Sequence, residues 1–204
     1  MPRSKQQFQE MREKTRESIL SSALKLFAEK GFNGTSINDI AKAANISKGL
    51  AYNYFESKQN ILEAIFEGFF KEGEKFVDVM NTVDDPYEKL RLIIDATFKY
   101  YEENEERWKL YTAFIFQPAI FEEGKKMSAS FNEKYFHILE NLAKSVGFKN
   151  PKLEVKLLNA LLDGIGLDYL FDKAMFPLSE VKEYLLQRYS KERLDKLNSL
   201  GLLD

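Results

Sequence analysis

This sequence has no cysteine, a single histidine, five prolines and ten glycines among its 204 residues. Without cysteine the chain has no disulfide framework and no thiolate metal site, which fits a reducing compartment. One histidine without a cysteine leaves no basis for thiol chemistry, a catalytic triad or a multi-histidine metal site. The sequence also has no phosphate-binding P-loop and no dinucleotide glycine pattern. We therefore expect a protein that is not an enzyme and needs neither a metal nor another cofactor.

Long apolar runs are absent as well. No stretch approaches the roughly 20 apolar residues that a membrane-spanning helix needs. The first 15 residues are polar and mixed in charge, and they lack the apolar segment of a secretion signal. We therefore expect a cytoplasmic protein with no membrane partner, and its 44% of hydrophobic residues is enough to form a core.

The hydrophobic pattern predicts an all-α fold of about nine helices, because apolar residues recur at three- and four-residue spacing and no alternating runs occur. We expect a helix-turn-helix domain at residues 1–60 and a larger helical domain at 61–204. Residues 4–14 lack an apolar stripe and fit either a helical extension or disorder. Helices are predicted over about 16–30, 36–44, 47–55, 57–80, 86–103, 105–116, 121–146, 151–174 and 179–197.

Charge is distributed unevenly between the two predicted domains. Residues 1–60 hold 10 lysines and arginines against 6 acidic residues, whereas the remaining chain holds 20 against 26. A basic N-terminal module on an acidic body indicates a polyanionic partner for the first module. On charge alone, a chance fluctuation remains an alternative.

Residues 36–55 have the pattern of two short helices joined by a tight turn. Ser36 and Ser47 are placed to cap the two helices. Asn45 lies where the chain must reverse, and asparagine tolerates the left-handed region better than most residues. Packed on the preceding longer helix, this arrangement is a helix-turn-helix.

The outward residues of this region suit DNA. Lys48 can pair with a phosphate, and Gly49 allows close approach to the backbone. Leu50, Tyr52 and Asn53 are best placed to meet base edges, since asparagine can pair with adenine and an apolar group can contact a thymine methyl. The predicted DNA-binding residues are Thr35, Ser36, Ser47, Lys48, Gly49, Leu50, Tyr52, Asn53, Tyr54 and Lys58. The alternatives are that the tyrosines are half-buried core residues, the lysines solvated cations and the serines helix caps only.

Residues from about 16 to 62 resemble the DNA-binding domain of the TetR family of transcriptional regulators. The pieces that carry the resemblance, in the family's order and spacing, are Ala28–Phe32, Thr35–Ala41, Ser47–Gly49, Tyr52–Phe55 and Ser57–Lys58. The sequence departs from the family pattern at Asn45, Asn53 and Asn60, where glycine, histidine and glutamate are frequent. The resemblance implies that residues from about 65 onward form a dimerising, ligand-sensing domain.

The predicted body is rich in aromatic residues spread over several helices. A ring-lined cavity with a few polar groups is the usual form of a small-molecule site. The predicted ligand-binding residues are Phe66, Phe69, Phe98, Tyr101, Trp108, Tyr111, Phe114, Phe136 and Tyr169. Asp95, Asp163 and His137 are the polar candidates. The alternative is that these rings form an ordinary core.

Two C-terminal helices carry apolar stripes that fit a four-helix dimer interface. The predicted interface residues are Leu158, Leu162, Ile165, Val181 and Leu185, with completion of the chain's own core as the alternative. Together these features favour a dimeric repressor that a small apolar or amphipathic effector releases from a pseudo-palindromic DNA operator. The remaining alternatives are an activator or an effector-independent regulator of the same fold, and a helical scaffold or adaptor.

Overall fold

The computed structural model describes residues 4–203, apart from the side chains of residues 76 and 130–132. Within this range the regular structure is entirely helical, so the all-α prediction is confirmed. The helices are α1 (Lys5–Lys30), α2 (Ile37–Ala43), α3 (Lys48–Tyr52), α4 (Lys58–Met80), α5 (Pro86–Glu103), α6 (Glu105–Ile115), α7 (Pro118–Val146), α8 (Pro151–Phe171), α9 (Leu178–Arg188) and α10 (Lys191–Ser199).

The C-terminal region holds two helices where the sequence predicts one. α9 ends at Arg188, and Ser190 has the extended conformation of an N-cap, at φ −69° and ψ 148°. Its hydroxyl oxygen accepts from the backbone N–H of Arg193 and starts α10. The apolar period continues across the junction, so this local cap decides the break.

Residues 4–14, which the sequence leaves open, belong to α1. Ser4 and Gln7 form a capping box: the Gln7 backbone N–H donates to Ser4 Oγ, and the Ser4 backbone N–H donates to Gln7 Oε1 at 3.0 Å. The two bonds satisfy backbone donors that a helix start leaves free. The first helix thus begins well before its first core residue, Ile19.

The first compact unit holds the described residues up to Phe70 together with Arg107–Ser128. Phe27, Phe114 and Ile120 are fully buried in one shared core. Phe66 packs at 5.5 Å from Phe114 between ring centroids. These contacts explain why residues 107–128 pack with the N-terminal region. The predicted functional division at residue 60 remains a prediction.

The second unit holds Lys71–Glu106 and the described residues from 129 onward. Ile94 and Phe98 lie in its interior. The Tyr101 hydroxyl donates to the carbonyl oxygen of Leu162 at 2.8 Å and ties α5 to α8. Of the helices described here, none is long and apolar enough to cross a membrane.

Candidate nucleic-acid interface

The turn between α2 and α3 depends on Asn45. Its φ is +54°, in the left-handed region that the sequence predicts for this position. The backbone N–H of Ile46 then donates to the Ala41 carbonyl at 2.9 Å, which closes the end of α2. Because α3 begins at Lys48, directly after this turn, the helix-turn-helix follows from the conformation of Asn45.

Serine caps begin both short helices. Ser47 Oγ accepts from the backbone N–H of Leu50 at 3.1 Å. Ser36 Oγ accepts from the Asp39 N–H at 3.2 Å, and the Ser36 hydroxyl and N–H both donate to the Asp39 carboxylate. These hydrogen bonds lower the pKa of Asp39. Ser36 therefore already has a carboxylate partner for the hydroxyl predicted to meet a phosphate.

α3 has one buried side and one exposed side. Ala51 and Phe55 are buried at 1% and 6% exposure and hold the helix to the first unit. Leu50 and Tyr52 are exposed by 38% and 45%, although both are large and apolar. Lys48, Gly49 and Asn53 are exposed as well, and Asn53 forms the C-cap of the helix.

The outward side of α3 thus carries the Lys48 cation, a glycine that exposes the backbone, two apolar groups and the Asn53 amide. The Lys48 ammonium lies 5.9 Å from the centroid of the Tyr52 ring, one turn away. Tyr54, the next predicted contact, is half-buried. This mixture has the chemistry that phosphates and base edges require.

The structure buries Thr35, which the sequence predicts to contact DNA. Its side chain is only 2% exposed, and its hydroxyl donates to the Gly31 carbonyl at 2.9 Å. A hydroxyl fixed inside the α1–α2 connection is not available to a phosphate. We therefore correct the predicted role of this side chain: it stabilises the connection that positions α2.

Lys58 also has partners within the first unit. Its Nζ donates to the carbonyl oxygens of Phe32 at 2.6 Å and Thr35 at 2.8 Å, and it lies 4.3 Å from the Phe32 ring centroid. Burial lowers the pKa of Lys58. Two of the three ammonium hydrogens are used in this way. The predicted phosphate contact therefore depends on the third hydrogen, and it stays a prediction.

The nine predicted ligand-binding aromatics are divided between the two units. In the first unit Phe66 and Phe114 belong to the core, and Phe69 packs edge-on against Tyr111 at 4.4 Å. Trp108 stacks on Tyr111 at 5.6 Å. The other four, which belong to the second unit, are Phe98, Tyr101, Phe136 and Tyr169. The structure thus does not gather the nine within one unit.

The second unit contains an apolar cavity between α5, α7 and α8, close to Tyr189. It leaves about 30 Å³ of free space, which is room for one or two water molecules. Its lining residues are Leu90, Ile93, Tyr135, Leu139, Leu142, Ala143, Phe148, Glu154, Val155, Leu158, Asn159, Leu162 and Tyr189. None of the nine predicted aromatics is among them. A drug-sized ligand would enter only if the helices moved apart.

Polar groups lie at one side of this cavity. The Tyr189 hydroxyl donates to Glu154 Oε1 at 2.6 Å, and burial raises the pKa of Tyr189. Asn159 Nδ2 donates to Asp163 Oδ2 at 3.0 Å. Desolvation raises the pKa of Asp163, and the Asn159 hydrogen bond opposes that rise. Sequence reasoning identified Asp163 but missed Glu154 and Asn159, whose polarity within the apolar pattern of α8 was the available signal.

Four of the five predicted dimer residues face their own unit. Leu158, Leu162, Ile165 and Leu185 are less than 10% exposed, and Val181 is half-buried. The buried α8 residues among them, Leu158, Leu162 and Ile165, form the inner row of α8. α8 also exposes a second apolar row, in which Leu157 and Leu161 directly precede Leu158 and Leu162 in sequence. The exposed residues of this row, the outer row of α8, are Leu153, Leu157, Leu161, Leu167 and Phe171. Gly164 belongs to the same face and has open space at its Cβ position.

The burial of Leu158, Leu162 and Ile165 thus fits the alternative that these residues complete the chain's own core. The sequence shows apolar residues on most sides of α8, and such a helix does not reveal which side meets its own core. Burial of the inner row leaves the outer row as the face available to another molecule.

Comparison with known proteins identifies the N-terminal region. Residues 19–65 match the family described as bacterial regulatory proteins, tetR family. Over 69 residues, 33% of the chain, the sequence is 41% identical to an uncharacterized HTH-type transcriptional regulator, YuxN of Bacillus subtilis. Over 105 residues, 50% of the chain, it is 31% identical to IcaR of Staphylococcus epidermidis, a negative transcriptional regulator of a biofilm operon.

These alignments span 24% of YuxN and 55% of IcaR, so they cover at most about half the length of those relatives. Among solved structures, the chain is similar to FadR of Bacillus subtilis in complex with stearoyl-CoA, with a TM-score of 0.68. That match covers 85% of this chain and 96% of FadR at 19% identity, and it therefore concerns the fold alone. Residues 19–65 thus form a helix-turn-helix domain of the tetR family of bacterial regulatory proteins.

Proposed function

We propose that this protein is a homodimeric transcriptional regulator that binds a pseudo-palindromic DNA operator. The observation that carries the proposal is the exposed side of α3, where Leu50 and Tyr52 meet solvent beside Lys48. A folded domain gains nothing from two large apolar groups in water on so short a helix. In a major groove the same groups meet thymine methyls and base edges.

Each residue on this side has a distinct proposed role. Lys48 pairs with a phosphate, and Gly49 lets the backbone approach the sugar-phosphate chain. Asn53 pairs with a base edge, where a bidentate contact to adenine discriminates by about 1–3 kcal/mol. The capped start of α3, at Ser47, directly precedes this surface.

The dimer forms through the outer row of α8. Its apolar residues extend from Leu153 to Phe171, a length of about 27 Å at 1.5 Å per residue. Gly164 permits close approach of a second helix at the middle of this row. Two copies related by a two-fold axis would bury both rows and place two α3 helices in successive major grooves, about 34–36 Å apart.

A small apolar or amphipathic effector controls binding in this proposal. The cavity beside Tyr189 is apolar, has Glu154 and Asn159 at its wall, and leaves only about 30 Å³ of free space. An effector that opens it must displace α5, α7 or α8. α4 and α7 each begin in the first unit and end in the second, so a displacement can change the spacing of the two recognition helices.

In this proposal the protein represses transcription, and the effector releases it from the operator. IcaR, which is similar over half of the chain, is named a negative regulator, and the FadR structure holds stearoyl-CoA. An acyl chain is the kind of group that an expanded apolar cavity would accept. The effector must bind the state that does not fit the operator more tightly, since equal binding to both states shifts nothing.

The test begins with selection from a random double-stranded DNA pool by the full-length protein. We expect an enriched inverted repeat and a complex of two chains per site by analytical ultracentrifugation. Asn53→Ala is expected to relax the preference at one position of each half-site. The paired change Leu157→Lys and Leu161→Lys should give a folded monomer with weakened binding, and Leu202→Lys serves as its control. Failure to enrich any sequence would refute the proposal.

A further inference from the structure

The first part of α1 projects beyond the core of its unit. Every residue from Ser4 to Lys14 is exposed, and the first buried residue is Ile19. The helical portion of this segment is about 15 Å long at 1.5 Å per residue. A short helix without tertiary packing is marginal in water. A partner that contacts this segment would therefore also stabilise its helical form.

Arg12, within the projecting segment, and Arg16, just after it, contact two aromatic rings that follow α3. The Arg12 guanidinium carbon lies 5.9 Å from the centroid of the Tyr54 ring. The Arg16 guanidinium carbon lies 5.4 Å from the centroid of the Phe55 ring. Both rings follow closely after α3, so these cation–π contacts hold α1 beside the end of that helix. The contacts thereby place Arg12 and Arg16 beside the segment that directly follows α3.

The charges of this segment are sorted around the helix. At 100° per residue, Lys5 and Arg16 lie within about 40° of the direction of Arg12. The carboxylates Glu10 and Glu13 lie about 160° and 100° away from it. We call Lys5, Arg12 and Arg16 the basic stripe.

Lys14 provides a cation of the same segment outside the basic stripe. It lies on the opposite side of α1, about 160° from the direction of Arg12. Because both side chains are exposed and positively charged, the two positions differ mainly in the side of the helix that they occupy. Lys14 is therefore a matched control for any effect of Arg12.

We propose that the basic stripe binds the phosphate backbone of operator DNA just outside each half-site read by α3. This inference rests on the proposed function and extends its contact surface. A row of cations clear of carboxylates has the charge that phosphates complement. Arginine suits this role because its planar guanidinium can stack on Tyr54 while its N–H groups face a phosphate. The stripe adds affinity at any flanking sequence and reads no bases.

The experiment measures binding to a selected operator in a long form, with about ten flanking base pairs on each side, and in a form trimmed to the half-sites. Wild type is expected to bind the long form several-fold more tightly. Arg12→Gln should remove most of that advantage while binding the trimmed form as wild type does. It should also reduce the slope of log K against log salt by about 0.9 for each phosphate that Arg12 neutralises, with two such phosphates per dimer. Arg12→Lys should retain most of the slope, and Lys14→Gln should match wild type.

Circular dichroism and thermal unfolding of each variant show whether the domain remains folded. The inference is overturned if folded Arg12→Gln binds both forms as wild type does, or if Lys14→Gln loses as much affinity as Arg12→Gln. It is also overturned if Arg12→Gln loses dimerisation, because the stripe would then contact a second copy of the chain. If wild type binds no operator at all, the proposed function itself fails, and that outcome is distinct from the others.

Discussion

Gln117 donates from Nε2 to the carbonyl oxygen of Phe27 at 2.6 Å, across 90 residues of sequence. Its Oε1 accepts from the backbone N–H of Phe32 at 3.2 Å. One side chain at the α6–α7 junction thus satisfies two backbone groups where α1 ends. The junction and the start of the helix-turn-helix are held together inside the first unit.

Replacing Gln117 by alanine should destabilise the first unit. Removal of the amide leaves the Phe32 N–H and the Phe27 carbonyl without this partner, at a cost of about 1–3 kcal/mol. Urea unfolding should therefore show a lower midpoint. Gln187, an exposed glutamine of the second unit, provides the control, and Gln187→Ala should leave the midpoint unchanged. Equal midpoints for wild type and Gln117→Ala would contradict the role of this bridge.

Two glycines within helices should respond to alanine in opposite ways. At Gly68 a Cβ has open space, so Gly68→Ala should stabilise the protein by about 0.5–1 kcal/mol through helix propensity. At Gly124 a Cβ would lie 2.6 Å from the ring of Phe66, which is 2% exposed and packs against Phe114. Gly124→Ala should therefore cost about 1–3 kcal/mol through overpacking. Thermal unfolding compares the two directly, and a shift in the same direction for both would be inconsistent with this packing.

The left-handed backbone conformation of Asn45 can be tested by substitution. Asn45→Gly should preserve stability or raise it slightly, because glycine adopts a φ of +54° without strain. Asn45→Val should lower stability by about 1–3 kcal/mol, since a β-branched residue is strained at positive φ. Chemical denaturation measures both changes. Similar stabilities for the two variants would show that the turn relaxes out of the left-handed region.

The raised pKa of Asp163 should make the stability of the protein depend on pH. Its pKa in the folded protein is raised above 3.8 because the carboxylate is desolvated. The unfolded chain loses this proton first, so the carboxyl's contribution to stability falls as pH rises from about 3.8 through the folded pKa. Asp163→Asn should therefore be more stable than wild type at pH 7, but by well under about 1 kcal/mol, because water screens a carboxylate on an exposed residue.

The difference between Asp163→Asn and wild type should vanish at low pH, where both side chains are neutral in the folded and unfolded states. Thermal unfolding at fixed protein concentration between about pH 3 and pH 7 tests this. The exposed Asp84→Asn serves as control. A stabilisation that is the same at every pH would contradict desolvation of the carboxylate as its cause.

Local signals in the sequence were enough for the recognition element. Asn45 in the left-handed turn and the caps Ser36 and Ser47 each depend on residues within a few positions. Side-chain direction was harder to predict. Thr35 looks like an exposed helix-start residue, yet its hydroxyl turns into the preceding connection. Such a choice depends on packing with α1, and the local pattern does not contain it.

The features that involve distant segments could not be predicted from the sequence pattern. Gln117 is one polar residue before a proline, and nothing near it indicates a partner 90 positions away. On α8 the inner and outer apolar rows look alike until the core around Leu158 and Leu162 is formed. The cavity is lined mainly by aliphatic residues that are indistinguishable from core in the sequence, whereas the conspicuous aromatics divide between the two units.

The measurement that tests the central claim most directly is the salt dependence of binding to the selected operator for wild type and Lys48→Ala. We predict a steep linear fall of log K with log salt for wild type. Lys48→Ala should bind all sequences more weakly and reduce the slope by about 0.9 for each phosphate that Lys48 neutralises, or about twice that per dimer. A folded Lys48→Ala dimer with the affinity and slope of wild type would contradict the placement of α3 on DNA.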